Sequence, residues 1–226
     1  MNYVNAHCHL ESDVLPSLIG MAITNSACMS DWGPVVKMAG HSGIYGAVGI
    51  HPWYVADLPC DWATCMRELL VAHPGLMVGE IGLDKNHPDM SAQVDVFRVQ
   101  LEMARELGRV AHIHCVGAWD KVLSTLSEIT PPVIVFHGFS ASTEVMKELL
   151  RYNSYFSFGR AICNSVRVRA VNALRNAPLD RILSESDTAN PSDVIAVMAK
   201  MADILGVPLA DLKNTVYNNI IGLLKI

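Results

Sequence analysis

Leu76-Met77-Val78-Gly79-Glu80-Ile81, then residues 91–107 (SAQVDVFRVQLEMAREL), then Val110-Ala111-His112-Ile113-His114, form the stretch that decides the fold class. The first and last pieces are short apolar runs of strand character. Between them Val94, Phe97, Leu101, Ala104 and Leu107 recur at the three-to-four-residue spacing of one helix face. Ser91 is the expected N-cap and Gly108 the stop. Strand, helix and strand in this order make a parallel βαβ unit.

The same alternation extends in both directions. Strands are expected over 2–6, 18–24, 44–50, 76–81, 110–113, 133–136, 155–158 and 181–184. Further helices fit 118–128, 142–152, 165–176, 192–205 and 209–224. No long helix is expected in residues 10–44, so the first βα unit reads as shortened. The expected architecture is an α/β, TIM-type (β/α) barrel, trimmed or distorted near its first unit, at a length below the ~250 residues typical of that fold. An open doubly wound sheet is the alternative, but it does not easily gather residues from the first, middle and last strands.

With 226 residues, 51% of them apolar, and no linker or low-complexity stretch, residues 1–226 are expected to be one domain. No apolar run reaches the ~18 residues of a membrane span. The opening Met1-Asn2-Tyr3-Val4 lacks the basic and apolar regions of a secretory signal. The six cysteines have no close paired spacing, which favours reduced thiols and a cytoplasmic protein. A net charge of −5 argues against a broad basic surface for gripping nucleic acid, although bound cations can meet phosphates locally.

Residues able to bind metal lie at or just beyond the ends of these runs, where a barrel gathers its active-site groups. His7 and His9 flank Cys8 at the end of the first; alternation points both imidazoles one way and Cys8 the other. Glu80 lies within an apolar strand, a costly place for a carboxylate unless it is paired or metal-bound. The glycines beside it permit close backbone or ligand approach. His112 and His114 share a face, with His114 nearer the exit. His114 is the expected ligand and His112 a hydrogen-bonded residue lower in the barrel. His137 ends the sixth run and Asp187 follows the eighth. Taken singly, these are also what a salt-bridged Glu, a structural His or a capping Asp looks like.

Together they resemble the TatD-like metal-dependent hydrolases, a branch of the amidohydrolase-type barrels. Ala6-His7-Cys8-His9-Leu10-Glu11 is similar to the family's opening D-x-H-x-H-L-D, and Gly49-Ile50-His51-Pro52 to its G-x-H-P. Gly79-Glu80-Ile81-Gly82-Leu83-Asp84 is similar to G-E-I-G-L-D, and Ile113-His114-Cys115 to I-H-x. His137-Gly138-Phe139-Ser140 is similar to H-x-F-S and Glu185-Ser186-Asp187 to E-T-D. The resemblance implies a site for two divalent ions (Mg, Mn or Zn). His7, His9 and Asp187 would hold one and His114 and His137 the other, with Glu80 bridging. It also implies Asp187 as general base toward a metal-activated water, and His51 as a contact to substrate phosphate. His-Pro shapes the turn in either case. Three positions depart from the pattern: Asn5 replaces the opening acid, Val116 stands where many relatives carry arginine, and Ser186 replaces threonine.

The expected function is therefore a divalent-metal-dependent hydrolase, a deoxyribonuclease cleaving phosphodiester bonds in DNA or in a small phosphoester. No membrane and no obligate protein partner is expected. The alternative keeps the site and changes the bond, to an amide, ester or lactone of a small molecule; a non-catalytic scaffold is the third reading. Cys8 and Cys115 beside the histidines are not expected to serve as nucleophiles, because alternation turns them away. Trp53 and Trp119 either line the pocket mouth or pack beside it.

Overall fold

Each of the eight apolar runs becomes a strand, and the strands lie side by side, all parallel, in chain order. In the computed structural model, which describes residues 2–164 and 166–224, they are β1 (Tyr3–Cys8), β2 (Ile19–Asn25), β3 (Ile44–Val48) and β4 (Met77–Asp84). The second half contains β5 (Val110–Val116), β6 (Val133–Phe136), β7 (Ser154–Phe158) and β8 (Ile182–Ser184). β4 and β6 are buried along their whole length, as parallel strands covered on both faces must be.

The seam between β8 and β1 is joined by single hydrogen bonds. The Ser184 hydroxyl donates to the Val4 carbonyl (3.0 Å), Asp187 N–H to the His7 carbonyl (3.1 Å), and His9 N–H to the Thr188 carbonyl (3.1 Å). The Asn5 amide completes it, donating to Ser186 Oγ (2.8 Å) and accepting from Ser186 N–H (3.1 Å). A nearly closed (β/α) barrel of the TIM type results.

The helices are α1 (Met29–Ala39), α2 (Trp62–Ala72), α3 (Met90–Glu106), α4 (Trp119–Glu128), α5 (Thr143–Leu149), α6 (Val168–Asn176), α7 (Val194–Leu205) and α8 (Leu209–Leu224). The distortion expected at the first unit is present, because no helix separates β1 from β2. The expectation of no long helix in residues 10–44 is wrong. α1 lies there, with Trp32, Val35 and Met38 buried on one face. Gly33-Pro34 inside it looks like a break, yet the burial of that face outweighs the local cost. α2 was also not expected; only Met66 and Leu70 of it are fully buried. α3 begins one residue before Ser91 and is capped by Asp89, whose side chain accepts from Ala92 N–H. Ser165, the expected start of the sixth helix, lies outside the described residues.

Candidate metal centre

The C-terminal ends of the strands converge on one buried carboxylate. Glu80, 3% exposed, has five imidazoles around it. Its Oε1 lies 2.8 Å from His137 Nε2, 3.0 Å from His114 Nδ1 and 3.2 Å from His51 Nε2. Its Oε2 lies 3.2 Å from His7 Nε2 and 3.5 Å from His9 Nε2. Asp187 Oδ1 stands 3.5 Å from His9 Nε2 and 3.7 Å from His7 Nε2. All seven residues that the sequence singled out are therefore in one place. His51, expected as a substrate contact, is 5% exposed and inside the cluster itself.

Backbone geometry explains the convergence. His7 and His9 flank Cys8 on an extended segment, so both face inward, and the Cys8 thiol turns away to donate to the Ile23 carbonyl (3.3 Å). β4 approaches β5 closely where Gly82 pairs with His114. Asp187 takes a left-handed backbone (φ 54°), a conformation Asp tolerates better than most residues, and its amide is tied to His7.

The second ring nitrogens fix what each imidazole offers. His9 Nδ1–H donates to the Asn25 carbonyl (3.0 Å), so in the neutral ring the Nε2 lone pair faces Glu80 and Asp187. His51 is the reverse: its Nδ1 accepts from Trp53 N–H (3.2 Å), so Nε2 holds the proton. His9 thus offers a metal-ligating lone pair and His51 a hydrogen-bond donor.

Two acids stand behind the cluster that sequence reasoning quoted within motifs but gave no role. Glu185 is fully buried; its Oε1 accepts from Gly138 N–H (2.7 Å) and lies 3.6 Å from His137 Nδ1. Asp84 Oδ2 accepts from the Trp53 indole N–H (2.8 Å) and lies 3.6 Å from His114 Nε2. The available signal was the same as for Glu80, an acid at the end of an apolar strand. His112 is buried below His7, as expected, with ring centroids 6.1 Å apart. It is not hydrogen-bonded as expected: among the described residues neither ring nitrogen has a partner.

Burial and charge set the protonation states. Burial opposes the charged form of Glu80, but His137 and His7 outweigh it and hold the carboxyl well below its ordinary range. Burial likewise opposes protonation of His137, yet Glu80 and Glu185 raise its pKa well above the usual imidazole value. In His7 and His51, burial wins and the pKa falls. His112 falls furthest in that direction, through burial and the charges of His7 and His137. At His9 burial is outweighed by the hydrogen bond to Asp187 and the charges of Glu80 and Asp187, so its pKa rises. The protonated ring donates to Asp187, which is pushed down to about 2, burial being outweighed by that hydrogen bond and by the charges of His137 and His7. Burial raises the Cys8 thiol and pushes Cys115 up to about 12, so neither is a thiolate near neutrality.

The donor set fits a divalent cation. His7, His9 and Asp187 place one nitrogen or oxygen each within 4.8 Å of one another, and so do His7, Glu80 and His137. His51, Glu80 and His114 form a third such group, and His137, Glu185 and Asp187 a fourth. Imidazoles and carboxylates in this number suit Zn²⁺ or Mn²⁺.

A family model described as TatD related DNase matches residues 4–225. The chain belongs to that family. Over 149 residues it is 32% identical to an uncharacterized metal-dependent hydrolase, YabD, of Bacillus subtilis, covering 64% of this chain and 58% of that protein. It is 26% identical over 201 residues to the 3'-5' ssDNA/RNA exonuclease TatD of Erwinia billingiae, covering 75% of this chain and 77% of the other. The crystal structure of YjjV, a TatD homologue from Escherichia coli, superposes with a TM-score of 0.89 over 99% of this chain and 98% of that one, at 20% identity. That likeness agrees with the barrel. The chain is a metal-dependent hydrolase of the TatD family.

Proposed function

We propose that the chain hydrolyses phosphodiester bonds of single-stranded DNA or RNA, using two divalent ions held at the mouth of the barrel. The observation that supports this most directly is the Glu80 carboxylate with five imidazole nitrogens from four strand ends within 3.5 Å. His7, His9 and Asp187 would hold one ion, His114 and His137 the second, and Glu80 both. Ions bound there supply Lewis-acid polarisation of a phosphoryl oxygen and a lowered pKa for the attacking water.

The remaining chemistry belongs to side chains. Asp187, ionised at every pH near neutrality, accepts the proton of the nucleophile. His51 Nε2–H is a donor aimed into the same space and suits a non-bridging phosphate oxygen. Glu185 steadies His137 from behind, and Asp84 does the same for His114. The six free cysteines support a reducing, cytoplasmic setting. Among the described residues no helix is long and apolar enough to cross a membrane.

Two observations favour a second reading, hydrolysis of a small amide, ester or lactone. The chain carries a net charge of −5 and has Val116 where many relatives have arginine, so its hold on a polynucleotide backbone is weaker. The deciding experiment strips bound metal, reconstitutes with Mg²⁺, Mn²⁺ or Zn²⁺, and assays single-stranded DNA beside a panel of small phosphodiesters and esters. Metal-restored DNA cleavage lost in Glu80→Gln supports the nuclease reading. Turnover confined to small esters or amides replaces it, and a folded protein that binds no metal refutes both.

A further inference from the structure

The two tryptophans near the barrel mouth differ in the structure. Trp119 packs inward, its ring 5.9 Å from Phe136 and 5.5 Å from Phe139, and is half-buried against the core. Trp53 is 52% exposed although its position is fixed on three sides. Its indole N–H donates to Asp84 Oδ2 (2.8 Å), one ring face lies nearly parallel to His87 (4.5 Å, 20°), and the His51 ring stands perpendicular to it (4.9 Å, 89°). An aromatic plate held this firmly and still half in solvent is pre-organised for a planar ligand, since little rotamer freedom remains to be lost on binding.

We propose that the exposed part of Trp53, backed by His87, is a stacking site for one base of a single-stranded nucleic acid whose backbone enters the metal centre. The inference rests on the phosphodiesterase reading and adds where the substrate is gripped. The route from plate to metal centre is short. His51 stands perpendicular to Trp53 and also touches Glu80 (3.2 Å), so a base on the plate places its own phosphate beside the proposed reaction centre.

Two features select a nucleotide over other flat ligands. Asp84 is 3% exposed, with Oδ2 taken by the Trp53 indole and Oδ1 by Asn86 N–H (2.9 Å), so the acid beside the plate presents little carboxylate surface to an organic cation. Lys85, the next residue, lies across Gly117 on the same rim and has no carboxylate partner among the described residues, so a positive charge remains for phosphate. Stacking tolerates any base, and it adds hold on a strand that a chain of net charge −5 gains little of from its overall charge.

The test uses a short single-stranded oligodeoxynucleotide in which a base-free sugar is walked through the positions next to the cleaved end, with the Mn²⁺-loaded protein. In the wild type, one position is expected to raise KM about 5- to 100-fold when its base is removed. In W53A the intact and base-free substrates are expected to give the same KM, and in W53F part of the difference returns. A merely structural role for Trp53 would not produce dependence on a single base position. Quenching of indole fluorescence by the oligonucleotide, present in the wild type and reduced in W53F, reads binding without cleavage. Cleavage with no base-dependent position, or with the same dependence in W53A, overturns the stacking site and leaves the phosphodiesterase reading standing. Quenching through Trp53 without cleavage under any metal supports the stacking site and refutes the hydrolysis. Neither cleavage nor quenching overturns both.

Discussion

Gly82→Ala is expected to damage the metal centre without removing any ligand. Gly82 pairs with His114 where β4 meets β5, and its φ of 146° is one that side chains rarely adopt. An added Cβ would lie 1.9 Å from the His114 carbonyl oxygen and 2.8 Å from its carbonyl carbon. Cβ atoms essentially never approach heavy atoms closer than 3.0 Å, so the strands must separate by about 1.1 Å at this point. Backbone strain and overpacking together cost roughly 2 to 6 kcal/mol. For a chain of this size that is a fall in Tm of roughly 4 to 24 °C.

His114 takes up the movement, and an ångström of misplacement in an active site costs on the order of 100-fold in rate. The assay is thermal unfolding, metal content and turnover on the same preparation, with Gly75→Ala as control, since nothing lies within 4 Å of a Cβ there. A Gly82→Ala protein with wild-type Tm, metal content and rate would refute the claim that close approach of β4 and β5 sets the position of His114.

Asn5→Asp, although it moves the chain toward its family's pattern, is expected to destabilise by about 1 to 3 kcal/mol. The Asn5 amide donates to Ser186 Oγ and to the Pro191 carbonyl (3.3 Å), and a carboxylate would set an unpaired oxygen against that carbonyl; urea unfolding measures the change. His51→Ala is expected to retain metal content and lose about 100-fold or more in turnover, as removal of a donor rather than a ligand does; loss of metal from this variant would show His51 to be a ligand. In the metal-free protein, His137 has a raised pKa in the fold, so its contribution to stability is fully present below about pH 6.5 and is lost as the pH rises through the folded value. The Tm difference between wild type and His137→Gln is therefore expected to shrink on going alkaline, and a difference that grows instead would reverse the sign of the argument.

The strands and the residues that cluster at their ends were legible because the two signals coincide in the chain: an apolar run four to eight residues long, and a His, Glu or Asp at or near its end. α1 was not legible, because Gly33-Pro34 interrupts its pattern and only the burial of Trp32, Val35 and Met38 against the sheet shows that the helix continues. Asp89 replaced Ser91 as the cap of α3 through a two-residue difference that local sequence does not resolve. The roles of Glu185 and Asp84 depend on partners in other elements, Gly138 and Trp53, and linear spacing does not contain those contacts. His112 was placed correctly by alternation, but alternation says nothing of whether a buried ring finds a partner.

What separates this cluster from an ordinary buried ion-pair network is the balance of lone pairs and protons. Glu80, Asp187, Glu185 and Asp84 together carry one charge fewer than five protonated imidazoles, and burial lowers the pKa values of His7 and His51, so these two rings are neutral. A neutral ring has one N–H and one lone pair, and the surroundings decide which faces inward. In neutral His9 the Asn25 carbonyl takes the N–H and the lone pair faces Asp187; at His51 the Trp53 amide takes the lone pair and the N–H faces Glu80. Lone pairs and carboxylate oxygens crowded together repel one another unless a cation lies among them, whereas an inward N–H is of use to a substrate oxygen. The same pocket turns the Cys8 thiol away and keeps it protonated, so the sequence motif H-C-H carries its chemistry in the histidines and leaves the cysteine to the barrel wall.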